Sequence, residues 1–282
     1  MITNLLPKHV PNIPPATQLE HHLAQLEADG FTVLPGFLDH ATTRALRDHI
    51  DALAGPVRPA HEPAERRIHD LRHPIPGEIM AEMVTPQHLE LARMLFDAQE
   101  LRLTEQVLIR TDPATQPPGP VGWHIDFAFH PRHYAARPRQ TYVQMVHALS
   151  TVESGGAATM VVPGSHHLIL EAARRLSEPM ERTDCVDQVA FKDEVMRTAG
   201  VDLTRGIEIL PNEGDLVLFH PTCVHSGSRN TRAQARYVMF MSFFDVSATD
   251  LNAYLRSEKY RDRFPDSLRD HLPPEMRSLL DR

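Results

Sequence analysis

A chain of 282 residues can bury one large core, and 29 basic against 37 acidic residues, a formal charge of −8, run against a general nucleic-acid or anionic-membrane binder. No apolar run is long enough to cross a bilayer and Met1-Ile2-Thr3-Asn4 opens no signal-peptide pattern, so a cytoplasmic protein is expected. Two cysteines, Cys185 and Cys223, are too few for a disulfide framework and match no zinc-ligand spacing.

The proline-rich residues 1–16 predict an extended N-terminal arm. Thr17 is positioned to cap a helix through Asp29 that Gly30 ends, with Leu19, Leu23 and Leu26 on one face. Phe31 to Leu34 predicts a short strand, and Asp39 an N-cap for a helix carrying Ala45, Leu46, Ile50 and Leu53. Gly55 to Pro76 is rich in Pro, Arg and His and predicts a long loop. A helix is expected over 86–98 and a strand over Leu101 to Thr111. Beyond the proline-rich link 112–120 come Val121 to Asp126, then an irregular basic segment from Phe127 to Gln140. Strands are expected over 141–149 and 158–162, a helix-rich insertion over 167–203, a hairpin-like pair over 207–210 and 216–219, and a last strand over 236–244. The charged stretch 246–282 predicts a tail of surface helices. The order, helices first and then many short strands, predicts one mainly β domain over 17–245, a barrel or sandwich with helices outside.

Within Val121-Gly122-Trp123-His124-Ile125-Asp126, His124 and Asp126 stand two residues apart, so on a strand both point to one face. His225, just past the strand-like run ending at Phe219, is the best third partner. Two histidines and a carboxylate with other positions open suit Fe(II) in non-haem oxygenases. With eighteen histidines in the chain, any such set needs support from context. Trp123 is expected to pack, His147 and His220 to be satisfied structural residues, and His166 to hold the turn in which it sits. Cys223 is near enough in sequence to line the site.

That context comes from a resemblance. Gly30 to Leu38 before a helix, Trp123-His124-Ile125-Asp126, Gly155-Gly156 leading to Val161-Val162-Pro163-Gly164-Ser165-His166, Gly214-Asp215 before an apolar strand, His225, Asn230 and Arg236 follow one another as in the phytanoyl-CoA dioxygenase family. The similarity runs from about residue 20 to 245. It implies a double-stranded β-helix, the cupin-like jelly roll, with the metal at one open end. It also implies His124, Asp126 and His225 as catalytic metal ligands, and Fe(II), 2-oxoglutarate and O2 as the cofactor set. Arg236, eleven positions beyond His225, matches the arginine that holds the distal carboxylate of 2-oxoglutarate. Many members carry Ser or Ala where this chain has Gly227, which leaves Ser226 and Ser228 as candidate cosubstrate contacts.

The implied reaction is hydroxylation of an unactivated C–H bond of a small molecule, with release of succinate and CO2. A carboxylate at Asp126 argues against halogenation, which needs a small residue there. Desaturation, cyclisation or epimerisation share the first hydrogen abstraction, and a non-catalytic metal- or 2-oxoglutarate-binding protein is the other class. His130, Arg132 and Arg137, with Arg110, either belong to solvated surface or select an anionic group on a polar or acidic substrate. A monomer or homodimer, with neither nucleic acid nor membrane as partner, completes the expectation.

Overall fold

Alternating apolar positions decide the architecture. Leu108 of β3 (Leu101–Thr111) faces one cluster of buried side chains, whereas Val107 and Ile109 face another. The same alternation runs through β4 (Tyr142–Ala148), β7 (Leu216–Phe219) and β9 (Arg236–Asp245), so one sheet has two apolar faces. With β1 (Phe31–Leu34) and β2 (Glu65–Ile68) it forms a six-stranded sheet in the order β1-β7-β4-β9-β3-β2. A smaller sheet, β6-β5-β8, is built from β5 (Thr159–Val161), β6 (Ile207–Ile209) and β8 (His225–Gly227). All strand pairings in both sheets are antiparallel. This computed structural model describes residues 11–61, 65–68, 77–96, 100–126, 142–177, 188–245, 264 and 266–281.

The inner cluster, which includes Val107, Ile109, Val161, Ile209 and Val238, lies between the two sheets. The outer cluster joins the large sheet to helices α1 (Ala16–Asp29), α2 (His40–Ala54), α3 (Gly77–Met83) and α4 (Pro86–Phe96). A third cluster packs α5 (Ser165–Ser177) and α6 (Gln188–Ala199) against Trp123, Ile125, Val162 and Val224. Two sheets facing each other with strands that switch between them are the expected jelly roll.

Several expectations change in detail. Helix α1 begins at Ala16 with Pro15 as N-cap, so Thr17 is inside the first turn, while Gly30 ends the helix at φ 80°. Asp39 caps α2, its carboxylate accepting from the Thr42 N–H at 2.7 Å. The predicted loop 55–76 contains the strand β2, paired with β3; Glu65-Arg66-Arg67-Ile68 is an edge strand without apolar alternation, which hides it from a pattern search. Strands β6 and β7 do not pair as a hairpin but belong to different sheets. The turn between them is a crossover held by Asp215, whose carboxylate accepts from Gly36 N–H (2.9 Å) and Asn212 N–H (2.8 Å). Gly214 in that turn has φ 91°, and a Cβ there would sit 2.4 Å from the Leu38 carbonyl oxygen.

The C-terminal helix α7 (Asp266–His271) and the 3-10 helix Pro274–Leu280 bury Leu268, Leu272, Met276 and Leu279 in the outer cluster, so this part of the expected tail belongs to the core. No described helix is long and apolar enough to cross a membrane.

Candidate metal centre

The segment 120–126 is not a regular strand, but it runs alongside residues 225–228, β8 and the residue after it, and is tied to them at two isolated bridges, Pro120 with Ser228 and His124 with His225. His124 and His225 exchange both backbone hydrogen bonds at 2.9 Å, and Asp126 N–H donates to the Pro221 carbonyl at 2.9 Å. Trp123 and Ile125 turn outward into the cluster with α5 and α6. By alternation His124 and Asp126 turn the other way. The donor atoms of His124, Asp126 and His225 all lie within 4.8 Å of one another. His124 is exposed, Asp126 half-buried and His225 buried, so the cluster runs from a solvent-facing edge toward the space between the sheets.

Each imidazole is oriented from behind. His124 Nδ1 donates to the Gly122 carbonyl and His225 Nδ1 to the Cys223 carbonyl, both at 2.8 Å, which leaves Nε2 of each ring as the lone-pair nitrogen. His225 Nε2 is 3.5 Å from Asp126 Oδ1, and Asp126 Oδ2 is buried without a hydrogen-bond partner among the described residues. Burial lowers the proton affinity of His124, helped by neighbouring His225. Burial acts against the charged forms of Asp126 and His225 as well, but their mutual attraction outweighs it, holding the carboxyl down and the imidazole up. Two neutral-capable nitrogens and an anionic oxygen left unsatisfied at one point fit a divalent transition metal.

Arg236 opens β9 opposite Thr111, on the inward parity shared by Val238. Its Nη2 donates to Thr159 Oγ1 at 3.2 Å. Thr159 lies two residues along β5 from Val161, the register partner of His225, a separation of roughly 6–7 Å along a strand. The turn before β9 is set by buried Asn230, whose amide donates to the carbonyls of Thr111 (2.9 Å) and Gln234 (2.8 Å).

The remaining sequence candidates separate. Ser226 Oγ is buried, donates to the Gly227 carbonyl at 2.6 Å and accepts from Gly122 N–H at 3.1 Å, so it ties the two bridged segments together. Ser228 Oγ is buried without a hydrogen-bond partner among the described residues. Arg110 does not join the cluster, and its expected substrate contact is corrected. It shares the outward face of β3 with Leu108, is fully buried, and pairs with Asp51 (2.8 Å) and Asp112 (2.7 Å). His130, Arg132 and Arg137 lie outside the described residues.

His220, His147 and His166 are structural. His220 Nδ1 accepts from Thr222, His147 Nδ1 donates to the Met239 carbonyl, and His166 Nε2 donates to the Glu27 carbonyl, fastening α5 to α1. Cys223 is buried beside Ser165, and burial pushes its thiol up to about 11, which makes it inert. Trp123 packs as expected, its ring over Gly206, where a Cβ would come within 2.4 Å of it. One residue was not singled out from the sequence: Lys192 on α6, half-buried, whose positive charge acts on His124, Asp126 and His225 alike.

A jelly roll carrying two histidines and a carboxylate at one point defines the class of non-haem metal oxygenases. The comparison with known proteins makes this specific. The family description phytanoyl-CoA dioxygenase (PhyH) matches residues 26–238, and the chain belongs to that family. It is a non-haem Fe(II)- and 2-oxoglutarate-dependent dioxygenase, with O2 as the oxidant. A curated relative, L-proline trans-4-hydroxylase of Streptomyces griseoviridis, is 28% identical over 237 residues, covering 78% of this chain and 84% of that protein. Among solved structures, the non-haem 2-oxoglutarate-dependent epimerase SnoN from nogalamycin biosynthesis superimposes with TM-score 0.56 at 18% identity, covering 82% of this chain and 84% of that one. HygX from Streptomyces hygroscopicus, with nickel and 2-oxoglutarate bound, gives 0.54 at 18% identity, covering 83% and 88%. These two likenesses establish the shared fold.

Proposed function

We propose that this dioxygenase hydroxylates an unactivated C–H bond of a small polar or acidic molecule, with His124, Asp126 and His225 holding Fe(II) and Arg236 holding the distal carboxylate of 2-oxoglutarate. The observation that carries the reading is the convergence of the three donor atoms within 4.8 Å, each histidine already fixed with Nε2 toward the cluster. When bound, iron and 2-oxoglutarate supply the oxidising power, consuming O2 and releasing succinate and CO2 as a hydrogen atom is taken from the substrate.

The chain's own residues orient and shield. Gly122 and Cys223 hold the ring tautomers through their carbonyls, so neither histidine needs to reorganise on metal binding. Arg236, anchored by Thr159 on the inward face, offers a planar donor for a carboxylate and so sets the direction of the cosubstrate. Trp123, Ile125 and helices α5 and α6 form an apolar wall behind the ligand segment that keeps water from that side. The hydroxylase relative acts on L-proline, which supports a free amino acid as the kind of molecule handled here.

The test is anaerobic addition of Fe(II) and 2-oxoglutarate to metal-free protein, followed by the visible charge-transfer band of the chelate. The band is expected in wild type, absent in His225→Ala and weaker in Arg236→Ala. A folded, iron-loaded wild type without the band would overturn the assignment. Succinate release then screens substrates.

A further inference from the structure

We infer that Glu105 is the substrate-binding carboxylate of this site, holding the protonated α-amino group of a free amino acid. This rests on the reading of His124, Asp126 and His225 as the iron site and narrows its substrate class.

An irregularity in β3 turns this side chain inward. Leu101 and Leu103, at the start of the strand, face the outer cluster, whereas Val107 and Ile109 face the inner one. Simple alternation from Leu103 would leave Glu105 on the outer side. The register against β9 shifts between Leu103 and Glu105, with Thr104 as the extra residue, and Thr104 Oγ1 donates to the Ser242 carbonyl at 3.1 Å. Glu105 thereby shares the parity of Val107 and lies opposite Ser242. An extra residue of this kind re-aims one side chain, here a carboxylate toward the space between the sheets.

A row of inward-facing strand partners links Glu105 to the metal centre. Phe219, whose ring centroid is 4.7 Å from that of His225, pairs with Gln144; Gln144 pairs with Ser242, and Ser242 with Glu105. From Phe219 to Glu105 the row spans roughly 14–15 Å of sheet, three strand spacings. Its last three side chains are polar, whereas the next row inward is Val217, Val146, Phe240 and Val107. The polar groups are ordered among themselves. The Ser242 hydroxyl donates to Gln144 Oε1, which directs Gln144 Nε2 to donate to Glu105 Oε2 at 3.4 Å. Gln144 and Ser242 are buried and Glu105 is half-buried, so the carboxylate is the accessible end of the row.

An ionised carboxylate accepts hydrogen bonds and donates none, so the guest that suits it best is a positively charged donor. It also repels anions, so a carboxylate on the same guest must lie away from it. An amino acid meets both conditions: its ammonium group faces Glu105, and its carbon atoms extend along the row toward Phe219 and the metal centre.

The experiment uses full-length protein loaded anaerobically with Fe(II) and 2-oxoglutarate, and follows the shift of the charge-transfer band. The probes are each proteinogenic L-amino acid and its counterpart with oxygen in place of the α-nitrogen, a 2-hydroxy acid or, for proline, tetrahydro-2-furoic acid. Wild type, Glu105→Gln and Glu105→Asp are compared, with far-UV circular dichroism to confirm the fold. The expected result is a band shift with at least one amino acid, bound about tenfold or more tighter than its oxygen counterpart, as for one charge-assisted contact. Glu105→Gln abolishes that preference by weakening the amino acid alone, Glu105→Asp keeps most of it, and half-saturation by 2-oxoglutarate stays unchanged in both. The assignment is overturned if Glu105→Gln leaves amino-acid affinity intact, or if it weakens both probes alike, as loss of a merely structural residue would. It is overturned equally if no amino acid shifts a normal wild-type band. A missing wild-type band removes the iron-site reading as well, and is told apart from the other failures by that absence.

Discussion

His124 and His225 form a reciprocal pair: each donates its backbone N–H to the other's carbonyl at 2.9 Å, so two side chains 101 residues apart in sequence are held level on neighbouring segments. Backbone pairing therefore aligns the two segments that carry these side chains. Metal binding should stabilise the folded state by simple linkage. At about a hundredfold excess over Kd that amounts to about 2.7 kcal/mol, or a rise in Tm of about 4–5 °C for a chain of this size. Anaerobic thermal scans with and without Fe(II) check this. His124→Ala, Asp126→Ala and His225→Ala should each lose the metal-dependent rise while keeping the wild-type circular dichroism.

A second paired arrangement predicts pH dependence. His88 Nε2 and His147 Nε2 are 2.8 Å apart in the core, and the partners fix the protons: Thr85 Oγ1 donates to His88 Nδ1 at 2.8 Å, and His147 Nδ1 donates to the Met239 carbonyl at 3.2 Å. Both rings are then neutral, His88 donating to His147. Burial holds His147 down to about 4, against an unfolded value of about 6.5. Between these values the unfolded chain binds more protons, so stability rises with pH across the window; it is complete above about 6.5 and is lost as pH falls toward 4. His166, also held at about 4 by burial, adds in the same direction. Denaturant midpoints should fall steadily from pH 7 to 4.5, and His147→Gln should flatten the slope by up to about 1.4 kcal/mol per pH unit. An unchanged slope in that variant would count against the pair.

The centre was more legible than its surroundings because spacing carries it. His124 and Asp126 are separated by one residue and His225 follows a strong strand, and an alternating backbone turns those facts into convergence. Arg236 was readable only through resemblance, since nothing in Ala235-Arg236-Tyr237 tells which face looks inward. Arg110 shows the limit. A basic residue at the end of a strand was expected to face substrate, yet strand parity puts it beneath α2, and parity there depends on the register shift between Leu103 and Glu105 that no pattern announces. Strand β2, helix α3 and the docking of Leu268 and Leu272 depend on tertiary contacts of short, weakly patterned segments.

Arg110 makes a stability prediction. Its guanidinium is fully buried between Asp51 and Asp112 and donates also to the carbonyls of Gly55 (2.5 Å) and Pro56 (3.0 Å), fastening the C-terminus of α2 to β3. Arg110→Met leaves a buried carboxylate at Asp112 and removes a network, which costs roughly 3–5 kcal/mol. Urea unfolding should show that loss, while anaerobic band formation at low temperature should be unaffected. A variant with normal stability and a defective band would return Arg110 to the active site.

Trp123 is the single tryptophan of the chain and precedes His124 of the proposed metal centre, so its emission reports this site alone. Its ring lies over Gly206 so closely that a Cβ there would be 2.4 Å from one ring carbon and 2.6 Å from another, distances that force the ring or the loop after α6 to move. Gly206→Ala should cost about 1–3 kcal/mol, the usual penalty for overfilling a packed contact. The displacement would be passed to the wall behind His124, so the emission maximum should shift in the variant before any metal is added. Ferrous ion should quench the wild-type emission with the same midpoint as the charge-transfer titration, and His225→Ala should show no quenching. Quenching that survives His225→Ala would place the metal elsewhere, whereas an unshifted maximum in Gly206→Ala would mean that the ring does not rest on this glycine in solution.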